Sequence, residues 1–452
     1  MSRESYVPLP GITRRGFLVL LIVAFFPLSG FLIGIEAEQL KTYILLVAGI
    51  FGLAFILESL LLFNLLRGLK FYGKLPAKLR SLEETFLEIT VQNPALFPGT
   101  SIRVRPQPPQ AVRAKKLAYK LRKNSNDTFS PIKLKFIPIS HGQICWPLVD
   151  IRAKTALRLF FWQRCYPLNG EIRATVYPND IYIQNRARFA HTREMTGERI
   201  FKNYAGEGRE FYALRNYAVG DDPRMIDWKR SARAESVYVK TFQPESHQRI
   251  EIALDCSRRM SGTVNGRARF DYALDAVAVL ASAAVNNRDH IGLCAFSLDV
   301  HGRKPAAGIK GQHKDILNLL VDLSVTESEA DYSLVSSWAR TIRRRSLLVL
   351  ITSIANPSGV ADIMRSLRSV SDRHLPLVVA IADQELEEMA NQSAGNIDQA
   401  YQIAAAKEQI VLMQRAIAAL KKAGIEAMYC RASELPERLE QEYYRLKISG
   451  RL

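Results

Sequence analysis

Cysteine is scarce: five residues in 452, at positions 145, 165, 256, 294 and 430. An odd count cannot pair fully, and none stands in a CxxC. A disulfide scaffold, a zinc ribbon and a thioredoxin-type redox site are therefore excluded. Isolated thiols of this kind suit a reducing compartment. The seven histidines are scattered singly. The chain has no GxxxxGK[ST] phosphate loop, no HExxH and no GxSxG elbow. With no catalytic constellation, the expectation is a protein that is not an enzyme. Acids are also in deficit, at 44 against 62 basic residues, giving a net charge of +18. That balance points to a polyanionic partner, either nucleic acid or an acidic membrane surface. Disorder over the whole chain is excluded by 48% apolar residues. The length admits two or three folded units at roughly 150 residues each.

Charge is missing locally as well. Residues 17–35 carry none, and residues 43–66 carry only Glu58. About 20 apolar residues cross a hydrocarbon core, so helices at about 17–35 and 43–66 are expected to form a two-helix membrane hairpin within an anchor at 1–80. Arg3, Arg14 and Arg15 precede the first run. Arg67, Lys70, Lys74, Lys78 and Arg80 follow the second, while the turn holds Glu36, Glu38 and Lys41. Positive flanks stay cytoplasmic, which places both ends and the soluble body inside. Glu58 is expected to snorkel or to pair the helices rather than to mark a transport path.

Residues 81–185 read as a basic β-rich domain resembling an antiparallel sandwich, with short alternating runs such as Phe86–Val91, Ser101–Val104, Ile132–Ile137 and Glu171–Tyr177. Ten cations lie between Thr100 and Phe136 against the single acid Asp127. Anionic lipid is the expected partner, at about 1 kcal/mol per basic residue near a membrane surface. A membrane-attached nucleic-acid binder using residues 103–135 is an alternative. No zinc-finger, helix-turn-helix or RNA-binding signature accompanies the charge, so no specific nucleic acid is expected.

Residues 186–245 hold a dense signature. Gly220-Asp221-Asp222-Pro223 reads as a helix start, with an Asp cap and Pro at the first helical position, for a helix from Pro223 to about Arg233. Asp227 and Arg230 would share a face, with Trp228 packed beneath an ion-pair network. A strand would follow from Ser236 to Phe242. The ordered set Gly206, Gly208, Glu210, Phe211, Arg215, Tyr217, Gly220, Asp221, Asp222, Arg224, Ile226, Asp227 and Trp228 closely resembles the core motif of the bacterial domain-of-unknown-function 58 family. The resemblance covers most of the chain. It implies a bacterial inner-membrane protein ending in a von Willebrand factor A-like domain and associated with MoxR-type AAA+ ATPases. An adaptor or scaffold role in assembly or maturation of another complex follows from it.

From 246 to 445, strands and helices alternate as a doubly wound α/β domain. Expected strands are Arg249–Leu254, His290–Phe296, Leu347–Ile351, Leu377–Ala382 and Glu426–Tyr429. Helices are expected at Phe270–Val285 and through Asn396–Lys422, the latter with a stripe of Ile403, Ile410, Met413, Ile417 and Leu420. In the resembling domains, an Asp-x-Ser-x-Ser motif, a later Thr and a later Asp hold Mg²⁺ at the strand edge. Asp255 and Ser257 match. Arg259 stands at the second serine, Ser353 at the later Asp, and the Thr position falls near Ala330, Asp331 and Ser333. A guanidinium about 5 Å from a divalent ion is repelled by roughly 7 kcal/mol at an effective dielectric near 20. The expectation is a metal-free edge at Asp255, Ser257 and Arg259 that binds a protein partner, with Arg259 free to pair with Asp255. Mg²⁺ at Asp255 and Ser257, or a metal-dependent hydrolase using Asp255, are the competing readings.

Overall fold

The structure is a computed structural model. It describes residues 9–32, 37–92, 100–115, 118–121, 130–155, 157–180, 210–218, 221–233, 236–243, 248–308, 311–354, 357–382 and 384–451. The chain divides into two compact units, Met1–Val176 and Tyr177–Leu452. Of the 186–245 segment, the part before 210 lies outside the described residues, including Gly206, Gly208 and the start of the signature.

The first unit opens with β1 (Leu9–Ile12), α1 (Arg14–Leu32) and α2 (Ala37–Arg67). Among the described residues, one helix is long and apolar enough to cross a membrane, over Lys41–Asn64. At 1.5 Å per residue the 31 residues of α2 span about 46 Å, well beyond a hydrocarbon core of about 30 Å. The last turns of the helix enter the β-domain. Leu62 and Leu66 are 0% and 1% exposed and belong to the core of the β-strands that follow. Glu58 is buried with them: Thr155 Oγ1 donates to Oε1 at 2.5 Å, and the Phe160 N–H donates to Oε2 at 3.1 Å. Glu58 therefore neither snorkels nor pairs two helices; it joins α2 to the β-domain.

The strands are β2 (Lys70–Lys74), β3 (Lys78–Arg80), β4 (Thr85–Gln92), β5 (Ser101–Pro106), β6 (Val112–Ala114), β7 (Tyr119–Lys120), β8 (Ile132–Pro138), β9 (Gly142–Cys145), β10 (Leu148–Lys154), β11 (Phe160–Glu171) and β12 (Arg173–Tyr177). Instead of two packed antiparallel sheets, one nine-stranded mixed sheet runs β6-β8-β4-β2-β11-β10-β5-β7, with β1 also on β11, and curls around a single core that includes Trp146, Phe136 and Phe71. The difference comes from the length of β11. Its first part is antiparallel to β10 and β1, while Leu168–Glu171 turns to run parallel to β2. Gly170 allows this: its φ is +94°, and a Cβ there would meet the Gly73 carbonyl at 2.7 Å. A small sheet β3-β12-β9 completes the unit.

The second unit begins with a hairpin of β13 (Glu210–Asn216) and β14 (Tyr238–Gln243). Between them a 3₁₀ turn, Pro223–Met225, is separated from α3 (Trp228–Ser231). There follow β15 (Arg249–Asp255), β16 (Thr263–Val264), β17 (Arg267–Ala268), α4 (Arg269–Asn286), β18 (His290–Phe296), β19 (Val300–Ala307), α5 (Gln312–Asp322), α6 (Ser333–Thr341), β20 (Leu347–Thr352), α7 (Pro357–Arg368), β21 (Leu375–Ile381), α8 (Gln384–Ala390), α9 (Ile397–Lys422), β22 (Glu426–Cys430) and α10 (Leu435–Ile448). The sheet order is β19-β18-β15-β20-β21-β22, parallel except for the edge strand β19. Alternate strand residues feed two apolar layers. Ile250, Ile252 and Leu254 join Leu274 and Tyr443, while Ala253, Leu348 and Leu350 join Trp338 and Ile417. On α9, Ile403, Ile417 and Leu420 are buried, whereas its first turns leave Ile397 and Tyr401 exposed.

One polar side chain interrupts the central strand. Glu251 is buried, accepts from Arg249 Nε at 2.8 Å and lies across Gly292 of β18. A Cβ at Gly292 would stand 2.2 Å from Glu251 Oε2 and 2.6 Å from the Ala306 nitrogen. Gly292→Ala is expected to cost about 2 kcal/mol by overpacking, read as a Tm several degrees lower for the full-length protein in detergent. An unchanged Tm would contradict this packing.

Candidate functional site

In an open α/β sheet, ligands sit beyond the carboxyl ends of the strands where the strand order reverses. From β15 the chain goes first to β18 on one side and later to β20 on the other. That reversal lies between β15 and β20. Leu254 pairs with Ile351, so the next residues, Asp255 and Thr352, stand level at this point.

Asp255 is 0% exposed. Its Oδ1 accepts from the Ser257 N–H at 2.8 Å, and its Oδ2 accepts from the Thr352 hydroxyl at 2.6 Å. Thr352 has one hydroxyl proton and gives it to Asp255. The 3.0 Å contact between Tyr332 and Thr352 is therefore donated by Tyr332. Burial is the main influence on both ionisable groups. It pushes the Asp255 carboxyl above the ordinary carboxylate range, against the opposing bonds from Thr352 and Ser257. It pushes the Tyr332 phenol up to about 12, so Tyr332 keeps its proton. The Ser257 hydroxyl is buried beside Asp255 without a hydrogen bond of sound geometry.

The cations do not fall where the motif places them. Arg259 does not hydrogen-bond Asp255. Its Nε donates to Glu329 Oε2 at 2.9 Å, and Arg258 Nε donates to Oε1 of the same carboxylate at 2.7 Å. Glu329 is held below its ordinary range, chiefly by Arg258. The cluster of three is accessible, with side-chain exposures of 65% for Arg258, 21% for Arg259 and 45% for Glu329. Ser353, at the later Asp position, accepts from Arg269 Nη1 at 2.6 Å, and the same nitrogen donates to the Arg259 carbonyl at 3.3 Å. Near Ala330, Tyr332 reaches Thr352, whereas Asp331 accepts from the Ser333 N–H at 2.9 Å as a local turn.

Sequence reasoning missed Thr352, Tyr332, Glu329 and Arg269. Thr352 had a signal, because like Asp255 it is the first polar residue after an apolar strand. Tyr332 and Glu329 lie in a connection whose path no periodicity fixes. A second polar string was also missed. Thr326 Oγ1 donates to the Cys256 carbonyl at 3.1 Å and touches Ser328 Oγ at 2.8 Å. Ser328 donates to Ser297 at 2.9 Å, and Ser297 Oγ lies 2.6 Å from His301 Nε2. A hydroxyl beside an imidazole can form an activated nucleophile. Ser297 is 1% exposed, so in this conformation it supports the loop rather than meeting a substrate.

The signature residues form a separate cluster on the β13–β14 hairpin. Arg215 grips Asp221 through two bonds of 2.7 and 2.5 Å, and Asp221 also accepts from the Ala218 N–H. Asp222 caps the turn through the Arg224 N–H. The expected single helix is broken at Ile226, which bridges to Val239. Asp227 then caps a second short helix through the Arg230 N–H and lies 3.6 Å from Lys240. The Asp227–Arg230 ion pair is thus replaced by a backbone cap. Trp228 does not pack beneath the network, being 66% exposed. Glu210 lies in β13 opposite Gln243.

Fold and site together describe a multi-domain α/β protein with a buried carboxylate and an accessible Arg–Glu–Arg cluster at the switch point of its second sheet. Residues 213–421 match the family described as "Protein of unknown function DUF58". Uncharacterized proteins of Mycobacterium tuberculosis and Mycobacterium bovis are 24% identical over 182 residues, which is 39% of this chain. The chain spans 56% of the length of those relatives. The crystal structure of the conserved hypothetical protein BatB from Bacteroides thetaiotaomicron is similar at 13% identity, covering 44% of this chain and 98% of that one with a TM-score of 0.30.

The raised Asp255 carboxyl has a testable sign. A group whose folded pKa lies above its unfolded value contributes stability at low pH that is lost as pH rises through the folded value. Ionised Asp255 therefore costs stability at neutral pH, and Asp255→Asn, which keeps an acceptor and adds a donor, relieves it. Thermal unfolding from pH 4 to 8 should show the variant more stable at neutral pH by a few degrees, the gap closing as pH falls. A variant less stable at pH 7 would mean that the charge is compensated in the fold.

Proposed function

We propose that this chain is a two-pass bacterial inner-membrane scaffold. Its cytoplasmic, von Willebrand A-like domain would bind an acidic segment of a protein partner at the Asp255–Arg259 edge. The observation that carries the reading is the accessible carboxylate of Glu329 held between Arg258 and Arg259, in the segment that follows Asp255. Two guanidiniums gathered around one exposed carboxylate match the chemistry by which a partner's Asp or Glu is received without an ion. Glu329 stands where that carboxylate would enter. A MoxR-type AAA+ ATPase is the partner that the signature's resemblance suggests, in assembly or maturation of another complex. The donor set does not fit Mg²⁺: it offers one carboxylate, Asp255, while a guanidinium, Arg259, stands at the second serine position and the Ser353 hydroxyl at the later Asp position accepts from Arg269. The orphaned Ser257 hydroxyl is the one feature that favours an ion. A hydrolase using Asp255 would need a conformation that exposes it.

The test measures affinity between the full-length protein in detergent and the MoxR-type ATPase of the same organism. Arg259→Ala should lose about a hundredfold, as expected for a desolvated charge-assisted pair, and Arg259→Lys should recover only part. Glu329→Gln should tighten binding by removing the internal competitor. Weaker binding by Glu329→Gln, or none lost by Arg259→Ala, would refute the site.

The two-pass topology follows from the basic flanks of both apolar runs. A cysteine placed at Gln39 should react with an impermeant reagent from outside intact cells, while one at Ser130 is protected. The reverse pattern would remove the cytoplasmic partner from consideration.

A further inference from the structure

The start of α1 is tied to the β-domain by Thr13. Its N–H donates to the Leu159 carbonyl at 3.0 Å, its hydroxyl donates to the Arg158 carbonyl, and the Gly16 N–H donates to Thr13 Oγ1 at 3.1 Å. Gly16 permits this approach, since a Cβ there would stand 2.2 Å from the Leu159 carbonyl. The same loop carries Thr155 and Phe160, which satisfy Glu58 of α2. Both N-terminal helices thus meet the β-domain at the 155–160 loop.

Cations surround that junction. Arg152 of β10 stands directly opposite Arg103 of β5, and Arg103 directly opposite Lys120 of β7. Lys154 shares the outward face of β10 with Arg152, while Arg158 and Arg15 lie on the two segments joined by Thr13. Among the described residues, no carboxylate pairs with Arg15, Arg103, Arg152, Lys154 or Arg158. Lys133 and Lys135, by contrast, lie 3.2 and 3.3 Å from Glu88 and Glu84. Like charges placed directly across a strand pair destabilise it. Burial, then the neighbouring Arg152, Arg103, Arg158 and Arg15, pull the Lys154 ammonium below its ordinary range. Arg152 stacks on the Phe161 ring at 3.6 Å, and its buried Nε has no hydrogen-bond partner. The α1 N-terminus adds a partial positive charge. An anion would relieve all of these together.

We propose that Arg15, Arg103, Arg152, Lys154 and Arg158 clamp the phosphate of an anionic phospholipid headgroup at the cytoplasmic face of the bilayer. The inference rests on the membrane reading above. Headgroup depth follows from length: about 20 residues of α2 counted from Thr42, past the charged turn, cross the core and end within a turn of Glu58, beside the clamp. Leu157, exposed on the same loop, suits the adjoining acyl region.

The test uses the purified full-length protein in a neutral detergent and follows its thermal unfolding. Probes are dihexanoyl phosphatidylglycerol, dihexanoyl phosphatidylcholine and inorganic phosphate. Phosphatidylglycerol should raise Tm saturably, with phosphatidylcholine and phosphate far weaker. Removing two cations in Arg103→Gln/Lys154→Gln should weaken the phosphatidylglycerol response about thirtyfold. Without lipid the same variant should be at least as stable as wild type, an outcome that a merely structural role would not give. Lys133→Gln/Lys135→Gln, from the paired cations, should leave the response unchanged. An equal response to phosphate would make this a free-anion site. Equal loss in the control variant would show diffuse attraction, and an unchanged response in Arg103→Gln/Lys154→Gln would remove the clamp. Carbonate extraction of membranes scores the anchor separately: release of the protein would sink the membrane reading even if phosphatidylglycerol bound.

Discussion

The second unit is organised around a carboxylate that water cannot reach. A buried charge must be met by fixed donors, and Asp255 recruits them from two directions, the Ser257 backbone and the Thr352 hydroxyl. Thr352 can serve only because β20 lies beside β15 in the register that brings both strand ends level. Tyr332 then completes the chain of donors, which fixes the connection leading into α6. With both Asp255 oxygens engaged, Arg259 is left to Glu329 and Arg269 to Ser353. The accessible chemistry of the edge is therefore set by how the inaccessible carboxylate is satisfied.

The first unit answers a related problem at Glu58. An ionisable residue late in an apolar helix would be costly in lipid. Here the helix is longer than a hydrocarbon core is thick, and the carboxylate is received by Thr155 and the Phe160 amide as α2 becomes part of the β-domain core. Phe160 also sets its ring edge against Phe51 and Phe55 at centroid distances of 5.4 and 4.8 Å. A helix used in this way cannot tilt independently of the domain it enters. That rigidity would fix the height of the cations around the 155–160 loop relative to the headgroups.

The parallel sheet was legible because its strands are buried on both faces and read as continuous apolar runs. His290–Phe296 was read with its observed bounds, and the strands at 249, 347 and 426 ended within one residue of the structure. The antiparallel edge strand β19 was not legible, since Gly302, Arg303, Lys304 and Pro305 break any alternation. The curled sheet of the first unit was misread because β11 changes partners at Leu168, which depends on the close approach of Gly170 to Gly73. At the site, Asp255 and Ser257 were singled out by their place at the end of an apolar strand and by the motif of the resembling domains. The partner of Arg259 could not, because Glu329 is 70 residues away and its approach depends on the path of a connection. Trp228 illustrates a different limit. An aromatic among charges suggests packing, yet Ile226 turns back to pair with Val239 and leaves the ring outside.

The central claim is that the switch-point edge works through guanidiniums rather than through a metal. Mn²⁺ is a suitable stand-in for Mg²⁺, since both prefer carboxylate, hydroxyl and water oxygens. Its binding to the purified full-length protein can be counted directly by electron paramagnetic resonance of the free ion. The account predicts no stoichiometric Mn²⁺ at submillimolar concentration, and the same titration for wild type and Asp255→Ala. One ion bound per chain by wild type, lost in Asp255→Ala and competed by Mg²⁺, would contradict it.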